Sequence, residues 1–257
     1  YLAFMLLLVA LIFRAVAIEF RSKQPGRRWR QMWDISFAVS SVVSSLLIGI
    51  ALGNIAWGIP LTERYEFAGS FLALLHPYAL LVGVTTVALF MMHGAIYTVM
   101  KTDGELQAKV RGWVNHTIIG FIICYATTTM ATLLYVPNMT DTIKRYPVLF
   151  LVALLNMLAI ANIPREIHHG REFHAFLSSC AAVLALLALF GIGMYPNLIF
   201  SNPAAAHSLT VYNAASSPQT LGIMLVIALL GMPLVIAYTI SIYWIFRGKV
   251  KLTATSY

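Results

Sequence analysis

Two of the seven histidines in this sequence stand where a pair of helices could hold a haem. His93 lies near the end of the third long apolar run, and His116 lies near the start of the fourth. Because consecutive membrane helices are antiparallel, the two residues have a similar depth, and histidines from neighbouring helices bind haem iron in membrane cytochromes. His76 has no histidine opposite it. The pattern therefore favours interior or interfacial histidines that form hydrogen bonds over haem ligands.

A second set of candidate ligands is the segment 165–174, which contains three histidines and two glutamates. It meets the three- or four-residue spacing of a helical His–Glu metal site only loosely. Its mixed charges are typical of a solvent-exposed loop, which is the interpretation we favour. The two cysteines, Cys124 and Cys180, lie in apolar runs and predict neither a disulfide framework nor a zinc site.

Two further charged residues stand at the edges of apolar segments. Arg14 lies four residues inside the first run, where a charge usually has a partner or a function, or extends its side chain to the headgroups. Asp34 stands at the start of the second run. It either pairs with Arg30, one turn earlier, or serves as the N-cap of the helix. The spans contain no nucleophile motif, phosphate loop or paired carboxylates, so the residues alone predict no catalytic site.

The elements that must position these residues are membrane-spanning helices. Apolar residues make up 60% of the 257 residues, charged residues only 10%, and the mean hydropathy is +0.82. These values exclude a soluble domain and a disordered chain, and no strand-like alternation recurs. We predict an all-α polytopic transmembrane bundle that forms one integral membrane domain, 1–257. Its seven spans are 1–18, 35–58, 70–98, 113–136, 147–163, 175–195 and 219–246.

Lysine and arginine are concentrated on one side of this predicted bundle. That side carries Arg14, Arg21, Lys23, Arg27, Arg28, Arg30, Lys101, Lys109, Arg111, Arg165, Arg171, Arg247, Lys249 and Lys251, and the other carries Arg64, Lys144 and Arg145. The net charge of +8 therefore orients helices and does not indicate nucleic-acid binding. By the positive-inside rule the basic side and the C-terminus are cytoplasmic, and residue 1 faces outward.

The second span carries small residues at every fourth position: Ser41, Ser45, Gly49 and Gly53. This stripe lies on one helix face and allows another helix to approach closely, so we expect it to be buried against protein. Pro233, midway along the last span, is expected to kink that helix.

Two connecting segments have their own signals. Trp29 and Trp33 stand one turn apart among arginines, which is typical of an interfacial segment. The long loop 196–219 contains no charged residue, and loops of this length are more often functional or covered by a partner than without a function.

Several motifs, in order along nearly the whole chain, resemble subunit II of the cytochrome bd-type quinol oxidases. They are 13–23 (FRAVAIEFRSK), 28–30 (RWR), 32–34 (MWD), 49–54 (GIALGN), 58–60 (GIP), 75–78 (LHPY), 80–83 (LLVG), 94–97 (GAIY), 102–106 (TDGEL), 208–214 (SLTVYNA), 216–217 (SS), 220–221 (TL) and 243–244 (YW). The resemblance implies a family of nine helices without haem ligands of its own, so we expect the sequence to be N-terminally incomplete by two helices.

The resemblance also implies a heterodimer with subunit I, which carries haems b and d and the quinol loop. That complex, in the bacterial or archaeal cytoplasmic membrane, oxidises quinol and reduces dioxygen to water with protons from the cytoplasm. This chain would be a non-catalytic, metal-free subunit that supports subunit I and proton supply. A structural quinone within it is compatible with the family.

The resemblance assigns roles to four positions. Arg14 and Asp34 match family positions that keep the haems in place through the interface, without ligation. Glu19 stands where better-known members have aspartate, and Asn213 where they have the aspartate of a Trp–Asp pair, so both are candidates for a proton or polar role.

Two other functions stay open at this stage. A secondary transporter or channel would show inverted repeats and broken helices, for which Pro233 supplies one break without an evident counterpart. An independent b-type cytochrome would depend on His93 and His116 alone.

Overall fold

The computed structural model describes residues 1–250 and confirms the predicted all-α membrane bundle. Seven of the helices in this part of the chain are long and apolar enough to cross a membrane. The helices are α1 (Leu2–Phe20), α2 (Arg27–Trp57), α3 (Pro77–Lys101), α4 (Gly104–Tyr135), α5 (Asn138–Arg145), α6 (Phe150–His168), α7 (Glu172–Met194) and α8 (Pro218–Ile245). Lys251, used in the topology prediction, lies outside the described residues.

Helix ends differ from the predicted spans because hydropathy detects only the apolar part of a helix. α2 begins at Arg27 and α4 at Gly104, each about two turns before its apolar segment. The third span is wrong at its start: Phe71–Leu75 form a 3₁₀ turn, and α3 begins at Pro77. The cause is Pro77 itself, which favours an extended residue before it and fits the first helical position.

The closest helix contact is between α2 and α3. A Cβ added at Gly49 would lie 2.7 Å from the Cα of Gly83, and one at Gly53 would lie 2.8 Å from the Cα of Ala79. Both glycines are buried, whereas Ser41 and Ser45 are only half-buried. The backbones therefore approach closely at the two glycines of the predicted stripe.

Beside this pair, α3, α4, α6 and α7 share the main apolar core, around Met92, Val114, Phe121 and Ile163. Polar contacts cross it as well, since Asn156 Nδ2 of α6 donates to the Tyr125 hydroxyl of α4 at 3.0 Å. This bond satisfies the amide nitrogen of Asn156, whereas its buried Oδ1 has no partner within residues 1–250. The bond stabilises one arrangement of the helices, because losing it would leave further polar groups unmatched there.

α8 differs from the other spans because none of its residues is buried. Its helix continues without interruption through Pro233. At its C-terminal end, the Lys101 ammonium of α3 donates to the carbonyl of Phe246 at 2.7 Å and to that of Gly248 at 3.2 Å. This contact joins the basic ends of the two helices.

The side opposite the basic one is covered by connecting segments. In the loop between α7 and α8, strands β1 (Asn197–Ile199) and β2 (Leu209–Thr210) pair antiparallel. This loop contacts the α2–α3 connection, where His207 Nδ1 lies 3.0 Å from the carbonyl oxygen of Leu61. The long uncharged segment therefore has structure of its own in this chain.

Candidate functional site

The cluster of sequence-predicted charged residues lies where α1 turns into α2, and we call it the α1–α2 corner. It consists of Arg14, Glu19, Phe20, Arg21, Trp29, Trp33, Asp34 and Phe37. α1 ends at Phe20, and Gly26 caps the start of α2 in an extended conformation. The two helices are antiparallel neighbours, so residues near the end of the first meet residues near the start of the second.

Asp34 binds Arg21 across this corner. The guanidinium Nε donates to Oδ1 at 2.6 Å and Nη2 donates to Oδ2 at 3.4 Å. The hydrogen bond and the charge of Asp34 raise the pKa of Arg21 above its ordinary value. Asp34 therefore pairs with Arg21 and not with Arg30, and it lies two turns inside α2, so the N-cap hypothesis is wrong.

Aromatic rings close the corner. Trp29 Nε1 donates to the carbonyl of Phe20 at 2.8 Å, and the Trp33 ring lies 5.5 Å from the Phe20 ring and 5.7 Å from the Trp29 ring. The buried Nε1 of Trp33 has no hydrogen-bond partner within residues 1–250. The predicted interfacial segment is thus the first two turns of α2, joined to the end of α1.

Arg14 lies deeper, six residues before the end of α1. Its guanidinium sits over the Phe37 ring at 5.7 Å, and in the described part of the chain it forms no ion pair. Because Phe37 follows Asp34 by three residues, the two lie on one face of α2. The structure therefore brings Arg14 and Asp34 to the same face of the α1–α2 pair.

The other two family-matched residues lie on opposite sides of the membrane. Glu19 is exposed at the corner, 3.9 Å from Lys23 Nζ. Asn213 is in the α7–α8 loop, where Oδ1 accepts from the Thr210 N–H at 2.7 Å and Nδ2 donates to the Ser208 carbonyl at 3.0 Å. Both ends of the Asn213 amide therefore bind backbone groups of its own turn.

The histidine pair is not formed. His93 Nδ1 lies 2.9 Å from Ser179 Oγ of α7, whereas His116 is exposed and its Nδ1 lies 3.2 Å from the carbonyl of Gly112 in its own helix. His116 is two residues from buried Val114 and so lies on the far side of α4. The two histidines therefore face different neighbours, which argues against a haem held between α3 and α4.

The segment 165–174 is mostly helical and not a loop. α6 continues to His168 and α7 begins at Glu172, where Oε1 accepts from Arg111 Nη2 at 2.6 Å and from Gln107 Nε2 at 3.0 Å. Glu166 is buried, at 5% exposure. The surface-loop interpretation is therefore wrong for both glutamates.

Within residues 1–250, no three His, Cys, Asp or Glu side chains are grouped so that they could hold a metal.

Sequence reasoning missed the position of His76, which caps α3. Its Nδ1 accepts from the N–H of Ala79 at 3.3 Å, and its ring lies 5.1 Å from that of Trp57. Burial lowers the pKa of His76. Its buried Nε2 has no hydrogen-bond partner in the described chain. The residue lines a cavity of about 180 Å³ that Asn54 and Asn202 also line. The His-Pro pair before an apolar run was the available signal.

Known proteins share both the sequence pattern and the fold. The model of the family described as "Cytochrome bd terminal oxidase subunit II" matches residues 1–246. The chain is 28% identical to the cytochrome bd-I ubiquinol oxidase subunit 2 of Escherichia coli K12, covering 97% of this chain and 74% of that protein. It is 27% identical to the cytochrome bd ubiquinol oxidase subunit 2 of Bacillus subtilis, covering 98% and 73%.

Among solved structures, the bd oxidase from Geobacillus thermodenitrificans has a chain with the same fold. The TM-score is 0.76 at 15% identity, over 95% of this chain and 73% of the other. The family match extends across all seven spans. This chain therefore belongs to the subunit II family of the cytochrome bd terminal oxidases.

Proposed function

We propose that this chain is the haem-free, non-catalytic subunit II of a heterodimer that oxidises quinol and reduces dioxygen to water. The observation that carries the proposal is the family match over residues 1–246. Relatives from Escherichia coli and Bacillus subtilis are named ubiquinol oxidase subunits, which supports quinol as the reductant. Subunit I then holds haems b and d, and His93 and His116 of this chain take no part in ligation.

The face that carries Arg14 and Asp34 is our proposed contact with subunit I. A cation costs about 2.5–3.5 kcal/mol at the centre of a membrane helix and less toward its end. Arg14, six residues before the end of α1, has only an aromatic ring beside it within residues 1–250. A polar group on subunit I would remove that cost. Arg21 binds Asp34, and this ion pair holds the Asp34 side chain on the face of the α1–α2 pair that also carries Arg14. The corner would then support the haems through the subunit contact.

The basic side is our proposed cytoplasmic side. The contacts between Lys101 and the end of α8, and between Arg111 and Glu172 at the start of α7, bring basic helix ends together. Glu19 is an exposed carboxylate on this side and is suited to receive protons from the cytoplasm. Asn213 lies on the opposite side and cannot titrate, so its role is to hold its turn.

The cavity beside His76 is our proposed site for a structural quinone. Because Nδ1 of neutral His76 accepts from the Ala79 N–H, the proton of the ring is on Nε2, a donor that has no partner in the described chain and would reach a quinone after a small movement of the ring. A quinone carbonyl is a suitable acceptor, and Trp57 supplies an aromatic wall.

Co-purification tests the function directly. Affinity-tagged chain is expressed with its natural oxidase partner, and separately without it, and both preparations are analysed by reduced-minus-oxidised visible spectra. We expect haem absorbance and quinol-dependent oxygen consumption only from the co-purified complex. Haem absorbance in the chain purified alone would contradict the proposal, as would chain that never binds a haem-containing partner.

The proposed interface is tested in the same complex by Arg14→Gln and Asp34→Asn. We expect each to reduce the haem content per complex several-fold. Arg64→Gln, which removes one exposed arginine on the opposite side, is the matched control and should leave the haem content unchanged. Equal haem content in all three variants would contradict the assigned face.

No observation favours the transporter or channel. α8 is continuous through Pro233, and α6 is continuous through Pro164, so the seven spans of the described chain include no pair of interrupted helices.

A further inference from the structure

A polar groove lies between α4 and α6 at the basic end of the bundle. It has a volume of about 400 Å³ and is lined by Arg111, Asn115, Pro164, Ile167 and His168. The nearest polar link between the two helices is the bond from Asn156 to Tyr125, about 15 Å further along α4 from Asn115. The groove is therefore an opening between two neighbouring spans.

Arg111 is held in place on one side of this groove. Its Nη2 donates to Glu172 Oε1 at 2.6 Å, and Gln107 holds the same oxygen at 3.0 Å. Glu172 is 17% exposed, whereas the Arg111 side chain is 44% exposed. A guanidinium has five N–H groups, so this ion pair leaves four for another acceptor. The arginine is thus oriented and still able to bind an anion.

The other lining residues complete a site for a phosphate group with an apolar attachment. Asn115 and His168 supply an amide and an imidazole, both donors suited to phosphate oxygens. Pro164 and Ile167 supply an apolar wall. Guanidinium is the side chain whose planar geometry best fits two oxygens of one phosphate.

The depth of the groove matches that of lipid headgroups. Trp113, two residues from Arg111, is 56% exposed, and Lys109 Nζ lies 5.5 Å from its ring. Tryptophan and lysine in this arrangement are typical of the membrane interface. Lys109 is two residues from Arg111 and Arg165 is next to Pro164, and neither cation pairs with a carboxylate in the described chain.

We propose that this groove binds one anionic phospholipid, whose phosphodiester accepts hydrogen bonds from Arg111, Asn115 and His168. Its glycerol group lies against Pro164 and Ile167. The two cations without a carboxylate partner within residues 1–250, Lys109 and Arg165, favour an anionic headgroup over a zwitterionic one, because surface cations attract anionic lipid.

The test uses the complete oxidase complex in nanodiscs that contain phosphatidylglycerol and phosphatidylcholine, with bound lipid counted by native mass spectrometry. We expect Arg111→Gln to weaken the retention of one phosphatidylglycerol about tenfold, since a charge-assisted bond is lost. Arg64→Gln removes one exposed cation on the opposite side of the bundle and should retain the lipid. Equal retention by Arg111→Gln and the parent complex would overturn the proposal.

A second variant separates binding from folding. Asn115→Leu fills the groove but leaves the Arg111–Glu172 pair intact, so we expect the same lipid loss with an unchanged unfolding temperature. Inorganic phosphate and phosphatidylcholine are the competing probes. If inorganic phosphate displaces the retained lipid at equal concentration, or if phosphatidylcholine is retained equally well, an anionic lipid is not the ligand and the proposal fails.

Discussion

α2 and α8 are both long apolar spans, yet they relate to the rest of the chain in opposite ways. α2 buries Gly49 and Gly53 against α3, where the two backbones leave no space for a Cβ. α8 buries no residue, and an added Cβ at Gly222 or Gly231 would meet nothing within 4 Å.

The difference shows what holds membrane helices together. In lipid, apolar surface alone does not drive helices to associate, because the acyl chains are as apolar as leucine. α2 meets its neighbour through small residues that allow close van der Waals contact. α8 is equally apolar but makes no such contact with the other described residues.

The largest expected effect is at the tight contact. Gly49→Leu places a side chain where the Gly83 backbone lies 2.7 Å from the new Cβ, so the helices must separate. We expect a loss of about 3 kcal/mol or more in the free energy of unfolding, measured by thermal unfolding of the complex. Gly231→Leu in α8 is the control and should change little. Equal losses would show that a partner buries α8 as tightly as α3 buries α2.

A smaller effect is expected for the hydrogen bond between α3 and α7. Ser179→Ala removes the partner of the His93 ring nitrogen and leaves it in a half-buried site. The expected cost is about 1–2 kcal/mol in the same unfolding experiment. Within residues 1–250 the Ser241 hydroxyl binds only the Ala237 carbonyl of α8, so Ser241→Ala should cost less than about 0.5 kcal/mol. If Ser241→Ala lost more free energy of unfolding than Ser179→Ala, α8 would be packed more tightly in the complex than the contact between α3 and α7.

The cap of α3 gives a pH-dependent effect. Burial lowers the pKa of His76, so below its unfolded pKa the unfolded chain binds more protons than the folded one. This part of the stability is complete above about pH 6.5 and is lost as the pH falls below that value. His76→Asn keeps a capping acceptor that cannot titrate, so we expect a smaller decrease in unfolding temperature between about pH 7.5 and pH 5.5.

The matched control for this pH effect is His169→Asn, a substitution in the exposed α6–α7 turn. That variant should retain the parent's decrease in unfolding temperature. If His76→Asn and His169→Asn lost stability equally on acidification, the cap would not be the source of the pH dependence.

The smallest effect is expected for a large side chain on α8. Leu229 is 64% exposed, so Leu229→Ala leaves no cavity and should change the free energy of unfolding by less than about 0.5 kcal/mol. Ile163→Ala in the fully buried part of α6 is the comparison and should cost about 2 kcal/mol or more. A loss of that size for Leu229→Ala would identify α8 as a protein interface in the complex.

Much of the fold could be predicted because hydropathy and helix length follow from local composition. The seven spans were predicted in number and approximate position, but the ends of α2, α4 and α6 were not. Those ends are polar helical turns, which apolar windows do not detect. The 3₁₀ turn before Pro77 was also missed, because its residues are as apolar as those of the helix that follows.

Contacts between side chains of the candidate site were predicted less well, because they depend on which helices are neighbours and how each is rotated about its axis. Asp34 had Arg30 within one turn, yet it binds Arg21, thirteen residues earlier, because α1 and α2 pack antiparallel. Glu172 and Glu166 looked like residues of a charged loop, but both belong to helices, where Glu166 is buried and Glu172 pairs with Arg111. His93 and His116 were predicted at a similar depth, but their side chains point to different neighbours: His93 contacts Ser179 of α7, and His116 contacts the Gly112 carbonyl of its own helix.

The sequence by itself determined that residues 1–250 contain seven segments apolar enough to cross a membrane, with the cations concentrated on one side, and its ordered motifs indicated the oxidase family. These properties depend on residues close together in the chain. Tertiary structure alone decided that Gly49 and Gly53 meet α3, that Arg21 holds Asp34, that Arg111 faces an open groove, and that α8 stands apart. The reason is physical: a helix presents side chains in every direction, and only the position of its neighbours determines which of them are in contact.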